Sequence, residues 1–159
     1  MREALEVEAA KEATERIDHG SLALLDRILG SAKDHLEGGD LHGFLDQCRV
    51  FHRTIAAVTR NSLLQQMLMM INDRVQMVSA MILVNSPTRA REIYDENRCY
   101  LNALRQKDAN AATSAVREHL LKATKYAATF LEEQHEPGIA VSEQEGKQRR
   151  RSSASREHP

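Results

Sequence analysis

The sequence predicts an all-α protein, and the placement of its helix-breaking residues is the main reason. All seven glycines lie before Phe44 or after Pro137, and Pro87 is the one proline ahead of Pro137. Sandwiches and barrels need turn residues roughly every 8–12 positions, and the long middle of this chain does not supply them. Strong helix formers, among them Ala, Leu, Glu, Gln, Met and Arg, fill it instead. With short connections between the helices, this pattern predicts an antiparallel bundle of about six helices.

Breakers and capping residues mark the first three helices. The first is predicted from about Arg2 to Ile17. Ser21 is the predicted N-cap of the second, because a serine hydroxyl can accept a hydrogen bond from a free backbone N–H at a helix start. The glycine pair at 38–39 ends this helix after about residue 36, and Asp40 begins a third helix that extends to about residue 59.

The last three helices are marked in the same way. Either Asn61 or Ser62 caps the fourth, with Gln65 completing an S-x-x-Q capping box. That helix extends to about residue 85, where a Ser-Pro pair ends it and starts the fifth, since proline fits the first turn of a helix. Asp108 caps the sixth helix, which extends to about residue 134.

The composition is that of a globular chain without disulfides. Hydrophobic residues make up 42% of it, which is enough to build a core. Cys48 and Cys99 are too few for a disulfide scaffold, and they indicate a reducing cytoplasm. The N-terminus lacks an apolar run, and the apolar stretch from Leu63 to Val84 has polar residues at its centre, so neither a signal peptide nor a membrane span is expected. The net charge of -1 argues against binding nucleic acid through bulk electrostatics.

Residues 1–134 are predicted to form one folded domain, and residues 135–159 a disordered basic tail. The tail is rich in Pro, Gly, Ser and charged residues, with Lys147 and the arginines at 149–151 clustered. Such a cluster can touch phosphates, but a solvated tail is the interpretation that the composition favours.

Polar side chains interrupt three helical stripes that are otherwise apolar. Cys48 and His52 fall one turn apart on the stripe of the third helix. Asn97 lies within the stripe of the fifth helix, and His119 within that of the sixth. Since buried polar groups need partners, these four side chains predict a shared polar pocket inside the bundle.

Each of these residues also has a purely structural interpretation. A histidine on an apolar face is more often a hydrogen-bonded core residue than a ligand. C-x-x-x-H on a helix is a weak metal motif, because positions i and i+4 are simply neighbours. No carboxylate general base is expected near the site, and no nucleophilic triad is recognisable. Composition and spacing therefore predict an interior pocket without saying what it binds.

Four segments give the chain a family resemblance. They are R-E-A-L-E-V-E-A-A from Arg2, F-H-R-T-I-A from Phe51, R-N-S-L-L from Arg60 and K-D-A-N-A-A-T-S-A-V-R-E-H-L from Lys107. Together they resemble the FCD domain, the C-terminal effector-binding domain of GntR-type bacterial transcription regulators of the FadR subfamily. The resemblance extends to about residue 131, and its most specific parts are the F-H pair and the spacing within the last segment.

The resemblance implies a helical bundle that pairs as a homodimer and holds a small metabolite, often a carboxylic acid. Many such domains bind a divalent metal through an Asp, a His one turn later and two further histidines. On this mapping His52 and His119 match two ligands, whereas Cys48 stands at the Asp position and Asn97 at that of a His. The site is therefore degenerate. Cys48, His52 and His119 could hold a softer ion such as Zn²⁺, and a site without metal is the alternative.

Arg74 completes the candidate ligand-binding set, which otherwise consists of Asn97, His52 and His119. It is the one cation between Asn61 and Thr88, and it could pair with an effector carboxylate in bidentate geometry. Pairing with its neighbour at position 73, or reaching out to water, is the structural alternative.

The sequence thus predicts a cytoplasmic small-molecule-sensing and dimerisation domain, and not an enzyme. An effector would favour one dimer arrangement by binding it more tightly. No winged helix-turn-helix is recognisable in the chain, so neither specific nucleic-acid binding by this chain alone nor membrane binding is expected. A helical-bundle metalloprotein or metalloenzyme that uses Cys48, His52 and His119 is the alternative. A structural dimerisation partner without any ligand is a third possibility.

Overall fold

Six α-helices account for nearly all of the chain that the structure describes. The computed structural model describes residues 1–135, except for the side chains at positions 73, 74, 76, 87 and 133–135. The helices are α1 (Arg2–Arg16), α2 (His19–Glu37), α3 (Leu41–Val58), α4 (Ser62–Asn85), α5 (Pro87–Arg105) and α6 (Ala109–His135). The predicted all-α fold class is confirmed, and residues 1–135 contain no strand. The predicted basic tail, beyond its first residue, lies outside the described residues.

The chain divides into two compact units. Met1–Ala127 contains α1 to α5 and most of α6, and the site described below lies within it. Ala128–Pro159 contains the end of α6, which extends to His135. The predicted domain boundary after residue 134 stays a prediction.

Side-chain caps fix the starts of α3, α4 and α6, in addition to that of α2. Asp40, Asn61 and Asp108 each accept a hydrogen bond from the backbone N–H three residues later, at 2.9, 3.1 and 2.9 Å. These bonds satisfy N–H groups that have no partner inside the helix. The predicted caps at Asp40 and Asp108 are therefore confirmed, and Asn61 rather than Ser62 is the N-cap of α4.

The predicted cap of α2 is wrong. Asp18 is the N-cap, and its Oδ1 accepts a hydrogen bond from the backbone N–H of Ser21 at 2.7 Å. This bond lowers the pKa of the Asp18 carboxyl below its usual value. The carboxylate of Asp18 also carries a negative charge, which interacts favourably with the positive end of the helix dipole, whereas the Ser21 hydroxyl is uncharged.

One main hydrophobic cluster draws on all six helices, with Leu83 as the contribution of α4. Its most deeply buried large side chains come from four helices: Leu25, Phe44, Phe51, Leu83 and Leu104. Burying side chains of this size is worth about 1.5–3 kcal/mol each. α2 packs mainly against α3 and α5, and residues of α3 and α5 line the site described below.

Helix α4 has two halves and two faces. It bends by 44° between Ser62–Asn72 and Met77–Asn85. Its inner face buries Leu64 and Leu68 against α1 and α3, and further along it buries Ile82 and Leu83. Its outer face exposes large apolar side chains: Leu63, Met70, Met77, Met81 and Val84. Within the described residues no single helix is long and apolar enough to cross a membrane, although the two halves of α4 together would pass by length and composition.

Candidate functional site

Two adjoining cavities lie inside the Met1–Ala127 unit, with walls from α1, α3, α4, α5 and α6. The larger has a volume of about 380 Å³ and the smaller about 70 Å³. Both walls include Arg2, Val75, Ser79, Ile93 and His119, so the cavities meet along these side chains. The larger volume lies within the range of sites that bind small molecules.

The four polar residues that interrupt the helical stripes lie together at the smaller cavity. Cys48, His52 and His119 line it, and the ring centroids of the two histidines are 5.6 Å apart. Asn97 lies behind this wall, almost fully buried, and its Nδ2 donates a hydrogen bond to Cys48 Sγ at 3.5 Å. The structure therefore brings these residues together, and their role in binding a ligand stays a prediction.

Helix α3 positions its two site residues through packing on both sides. Cys48 and His52 are one helical turn apart and so face the same way. Phe51 stands edge-on to His52, with 5.4 Å between ring centroids, and also contacts Tyr100 of α5 edge-on at 6.2 Å. This aromatic packing fixes the backbone from which the His52 ring projects.

Burial keeps two of these groups uncharged near neutral pH. Burial raises the pKa of the Cys48 thiol to about 12, although the hydrogen bond from Asn97 acts in the opposite direction. Desolvation of the His52 ring, together with the nearby charge of His119, lowers its pKa to about 4. At neutral pH Cys48 is therefore a thiol, and His52 a neutral imidazole.

A carboxylate stands directly beside the site, so the expectation that none would is wrong. Glu96 Oε2 accepts a hydrogen bond from His119 Nδ1 at 2.7 Å. The same carboxylate receives two hydrogen bonds from Arg89, at 2.6 and 3.0 Å. Burial by itself would raise the pKa of Glu96, but the bonds from His119 and Arg89 and the positive charges of these groups lower it to about 2. Glu96 is therefore an anion that fixes the His119 ring.

Arg89 is a buried cation whose charge is already balanced. Its side chain is 2% exposed and also contacts Glu92 at 3.0 Å. Tyr126 completes this group, since its hydroxyl donates to Glu92 at 3.1 Å and its ring lies 5.0 Å from the Arg89 guanidinium. Both Arg89 and Tyr126 line the larger cavity. Two carboxylates thus neutralise this guanidinium before any ligand arrives.

A second cation at the cavities comes from the start of the chain. Arg2 lines both cavities, and its Nε donates to Glu6 Oε1 at 2.6 Å. Glu6 itself is buried on α1. Arg74, predicted from sequence as the cation for an effector carboxylate, has a side chain outside the described residues. Arg2 and Arg89 are the guanidinium groups that the described part of the chain places at the larger cavity.

The sequence interpretation missed Arg2, Arg89 and Glu96, to which it assigned no role. A signal was available for two of them. Arg89, Glu92 and Glu96 follow the spacing i, i+3, i+7, which places opposite charges on one helix face. Nothing in the sequence of α1 marks Arg2, whose position at the cavities depends on how α1 crosses α3 and α4.

The donor set does not fit the divalent metal that the family resemblance implies. In residues 1–135 no three His, Cys, Asp or Glu side chains are grouped closely enough to hold an ion. Cys48 is a neutral thiol that already accepts a hydrogen bond, and metals bind the thiolate. His119 has one ring nitrogen engaged by Glu96, so its Nε2 and the His52 ring are the donors that remain. Two imidazoles fall short of the three or four protein ligands of zinc sites.

Comparison with known proteins agrees with this fold. The FCD domain family matches residues 1–122, which include all four polar site residues. Among solved structures, E. coli McbR/YncC is similar at 22% identity and a TM-score of 0.73, over 80% of this chain and 64% of that one. Streptococcus agalactiae GntR is similar at 24% identity and a TM-score of 0.64, over 78% of this chain and 54% of that one. No curated protein matches the chain.

These comparisons carry different weight. The two structural likenesses are below 25% identity and concern the fold, and the chain spans less than two thirds of either protein. The family match covers most of the chain, including the F-H pair of α3 and the last segment up to His119. The motifs, the helical bundle and the family match agree, and the chain belongs to the FCD family of effector-binding regulatory domains.

Proposed function

We propose that this domain senses a small carboxylate metabolite that binds in the two adjoining cavities. The observation that carries the proposal is the position of Arg2 and His119 on the wall that both cavities share. A guanidinium beside a fixed imidazole is a suitable partner for a carboxylate, and the cavity of about 380 Å³ has room for the rest of a small molecule. No catalytic role is proposed for Glu96, because it is already engaged by two partners.

Pairing with a second copy of the chain is the second part of the proposal. Met70, Met77, Met81 and Val84 are spaced along one face of α4 and are 51–74% exposed. Monomeric proteins rarely expose so contiguous an apolar surface, and GntR-type regulators are typically dimeric. The outer face of α4 is therefore proposed as part of a homodimer interface.

Helix α4 also supplies a route from the ligand to the dimer. Val75 and Ser79 line the cavities, whereas Met77 and Met81 are on the exposed face. A helix is about 10–12 Å across, so a ligand that moves the inner face also moves the outer one. An effector would then shift the population of dimer arrangements through its differential affinity for them. The domain is proposed to act in the cytoplasm and not to bind specific DNA sequences by itself.

The test combines three measurements on the 159-residue chain. A melting screen against carboxylic acids, with matched alcohols and amines, is expected to show stabilisation by acids only. Metal analysis of the purified protein is expected to find less than one equivalent of any divalent ion. Light scattering is expected to show a dimer. A monomer at high micromolar concentration, or the absence of any stabilising acid, would contradict the corresponding part of the proposal.

A further inference from the structure

We propose that the effector is a monocarboxylate with an apolar body, held without a metal ion. Its carboxylate lies between Arg2 and His119, and its body fills the larger cavity. This inference rests on the proposed effector-binding function and names the class of ligand.

The charged end of the ligand is assigned by the donors on the shared wall. Arg2 contacts Glu6 through Nε, and the two terminal nitrogens of a guanidinium carry four further N–H donors. These donors suit the two oxygens of a carboxylate in bidentate geometry. His119 donates to Glu96 through Nδ1, and in the imidazolium form its Nε2–H is a second donor on the opposite edge of the ring, where it can meet the ligand carboxylate. Arg2 therefore supplies a guanidinium edge with N–H donors beyond the one that Glu6 accepts, and His119 supplies the orientation.

The body of the ligand is assigned by the wall of the larger cavity, which is mostly apolar. Its apolar side chains come from α4, α5 and α6: Val75, Val78, Ile82, Leu83, Ile93, Ala123 and Ala127. A volume of about 380 Å³ lies within the range of sites that hold small organic ligands. An aliphatic or aromatic body buried there gains the free energy of leaving water.

A second carboxylate on the ligand is disfavoured by the charges already in place. Arg89 is the other cation of the larger cavity, and Glu92 and Glu96 both contact it. A ligand carboxylate near this group would meet two fixed anions and a guanidinium whose two terminal nitrogens already donate to carboxylates. It would also lose its hydration in a mostly apolar space, which is costly without a partner. The site therefore discriminates against dicarboxylates and citrate-like acids.

A metal ion is not needed to hold such a ligand, and the two imidazole nitrogens that remain are too few to bind one. Asn97 donates to Cys48 Sγ, and Glu96 holds His119. A chelating hydroxy acid would need an ion to bind, whereas a simple carboxylate needs only the guanidinium. The exchange of two metal ligands for a thiol and an amide is consistent with this change in ligand class.

The experiment measures binding of octanoate by calorimetry, in the presence and absence of EDTA. Octan-1-ol tests the need for charge, octanedioate the discrimination against a second carboxylate, and citrate with added Zn²⁺ the metal-dependent alternative. We expect octanoate to bind equally with and without EDTA. We expect each of the other three to bind at least about tenfold more weakly. Octan-1-ol lacks the charge-assisted hydrogen bond to Arg2, and octanedioate and citrate bring additional carboxylates that have no partner in the cavity.

Two variants locate the ligand. Arg2→Gln is expected to weaken octanoate binding by about tenfold or more. Arg16→Gln is the matched control, since Arg16 is on the same helix and makes the same i, i+4 pair with a glutamate, at 2.8 Å. Its affinity for octanoate is expected to be unchanged. Ala123→Leu narrows the larger cavity, so octanoate binding is expected to fall by about tenfold while that of butanoate changes less than threefold.

The outcomes separate this inference from the function on which it rests. Stronger binding of octanedioate, dependence on Zn²⁺, equal binding of the alcohol, or equal loss in the Arg2 and Arg16 variants would overturn the ligand class and leave effector binding intact. If none of the acids binds under any of these conditions, the proposed function fails as well.

Discussion

Replacing Glu96 by Gln measures how much the buried charge network of α5 contributes to stability. The side chains of Arg89 and Glu96 are 2% and 7% exposed, so their attraction is weakly screened. Gln keeps the shape of the side chain but removes its charge, which leaves Arg89 with Glu92 as its remaining carboxylate partner. Breaking a buried ion pair costs roughly 3–5 kcal/mol. Because Glu92 is 42% exposed and still available, we expect about 3 kcal/mol, at the lower end of this range.

The pH dependence of stability gives an independent value for the same contribution. The pKa of Glu96 is lowered from its ordinary value of 4.5 to about 2. A difference of this size corresponds to about 3 kcal/mol. Because the folded-state pKa is the lower one, the contribution is fully present above the unfolded-state value and is lost as the pH falls towards 2. The difference between wild type and Glu96→Gln is therefore expected to be largest at neutral pH and to shrink below about pH 4.5.

Urea denaturation at a series of pH values is the assay. Glu118→Gln is the matched control, because Glu118 also pairs with a cation, Lys122 at 2.9 Å, but is 65% exposed. Its free energy of unfolding is expected to change by less than about 0.5 kcal/mol. A loss in Glu96→Gln no larger than in this control, or a difference that stays constant down to pH 2, would refute the reasoning.

Three further predictions concern the metal site, the helix ends and the dimer. Cys48→Asp combined with Asn97→His is expected to raise the affinity for Co²⁺ by roughly tenfold or more in a spectroscopic titration, because it restores one carboxylate ligand and one imidazole ligand. An unchanged affinity would contradict the mapping of these positions. Arg60 has a φ of 55°, so Arg60→Gly is expected to raise the free energy of unfolding by about 1 kcal/mol, and an equal gain in Arg60→Ala would show that the backbone conformation is not the cause. Met81→Lys is expected to convert the dimer to a monomer in light scattering with little change in monomer stability, and a dimer that persists would place the interface elsewhere.

The fold was predictable because the relevant signals are local. The caps at Asp40 and Asp108 each bond a backbone N–H three residues later, and Pro87 breaks the helix pattern by itself. Sequence spacing is therefore sufficient to find them. The error at Ser21 has the same local origin. Two capping residues stood three positions apart, and the carboxylate of Asp18 was the better acceptor for the first turn.

The site was predictable only in part, because its electrostatics depend on contacts between helices. Cys48, His52, Asn97 and His119 interrupt apolar stripes, and any packing that buries the stripes brings them inside. Glu96 could not be assigned in this way, since its partner His119 is on another helix and its burial depends on how α5 and α6 cross. The i, i+3, i+7 spacing of Arg89, Glu92 and Glu96 places their charges on one helix face but does not show that this face lies at a cavity.

The two cysteines differ in exposure, so the rate at which Cys48 is labelled reports on the opening of the site. Cys99 is exposed, whereas Cys48 is buried and its pKa is raised to about 12. Thiol reagents attack the thiolate, so Cys99 reacts at once and Cys48 reacts only when the bundle parts around it. The rate of the slow labelling phase therefore reports how often Cys48, on the wall of the smaller cavity, becomes exposed to the reagent. A ligand bound in the cavity would lower the rate of Cys48 labelling and leave that of Cys99 unchanged.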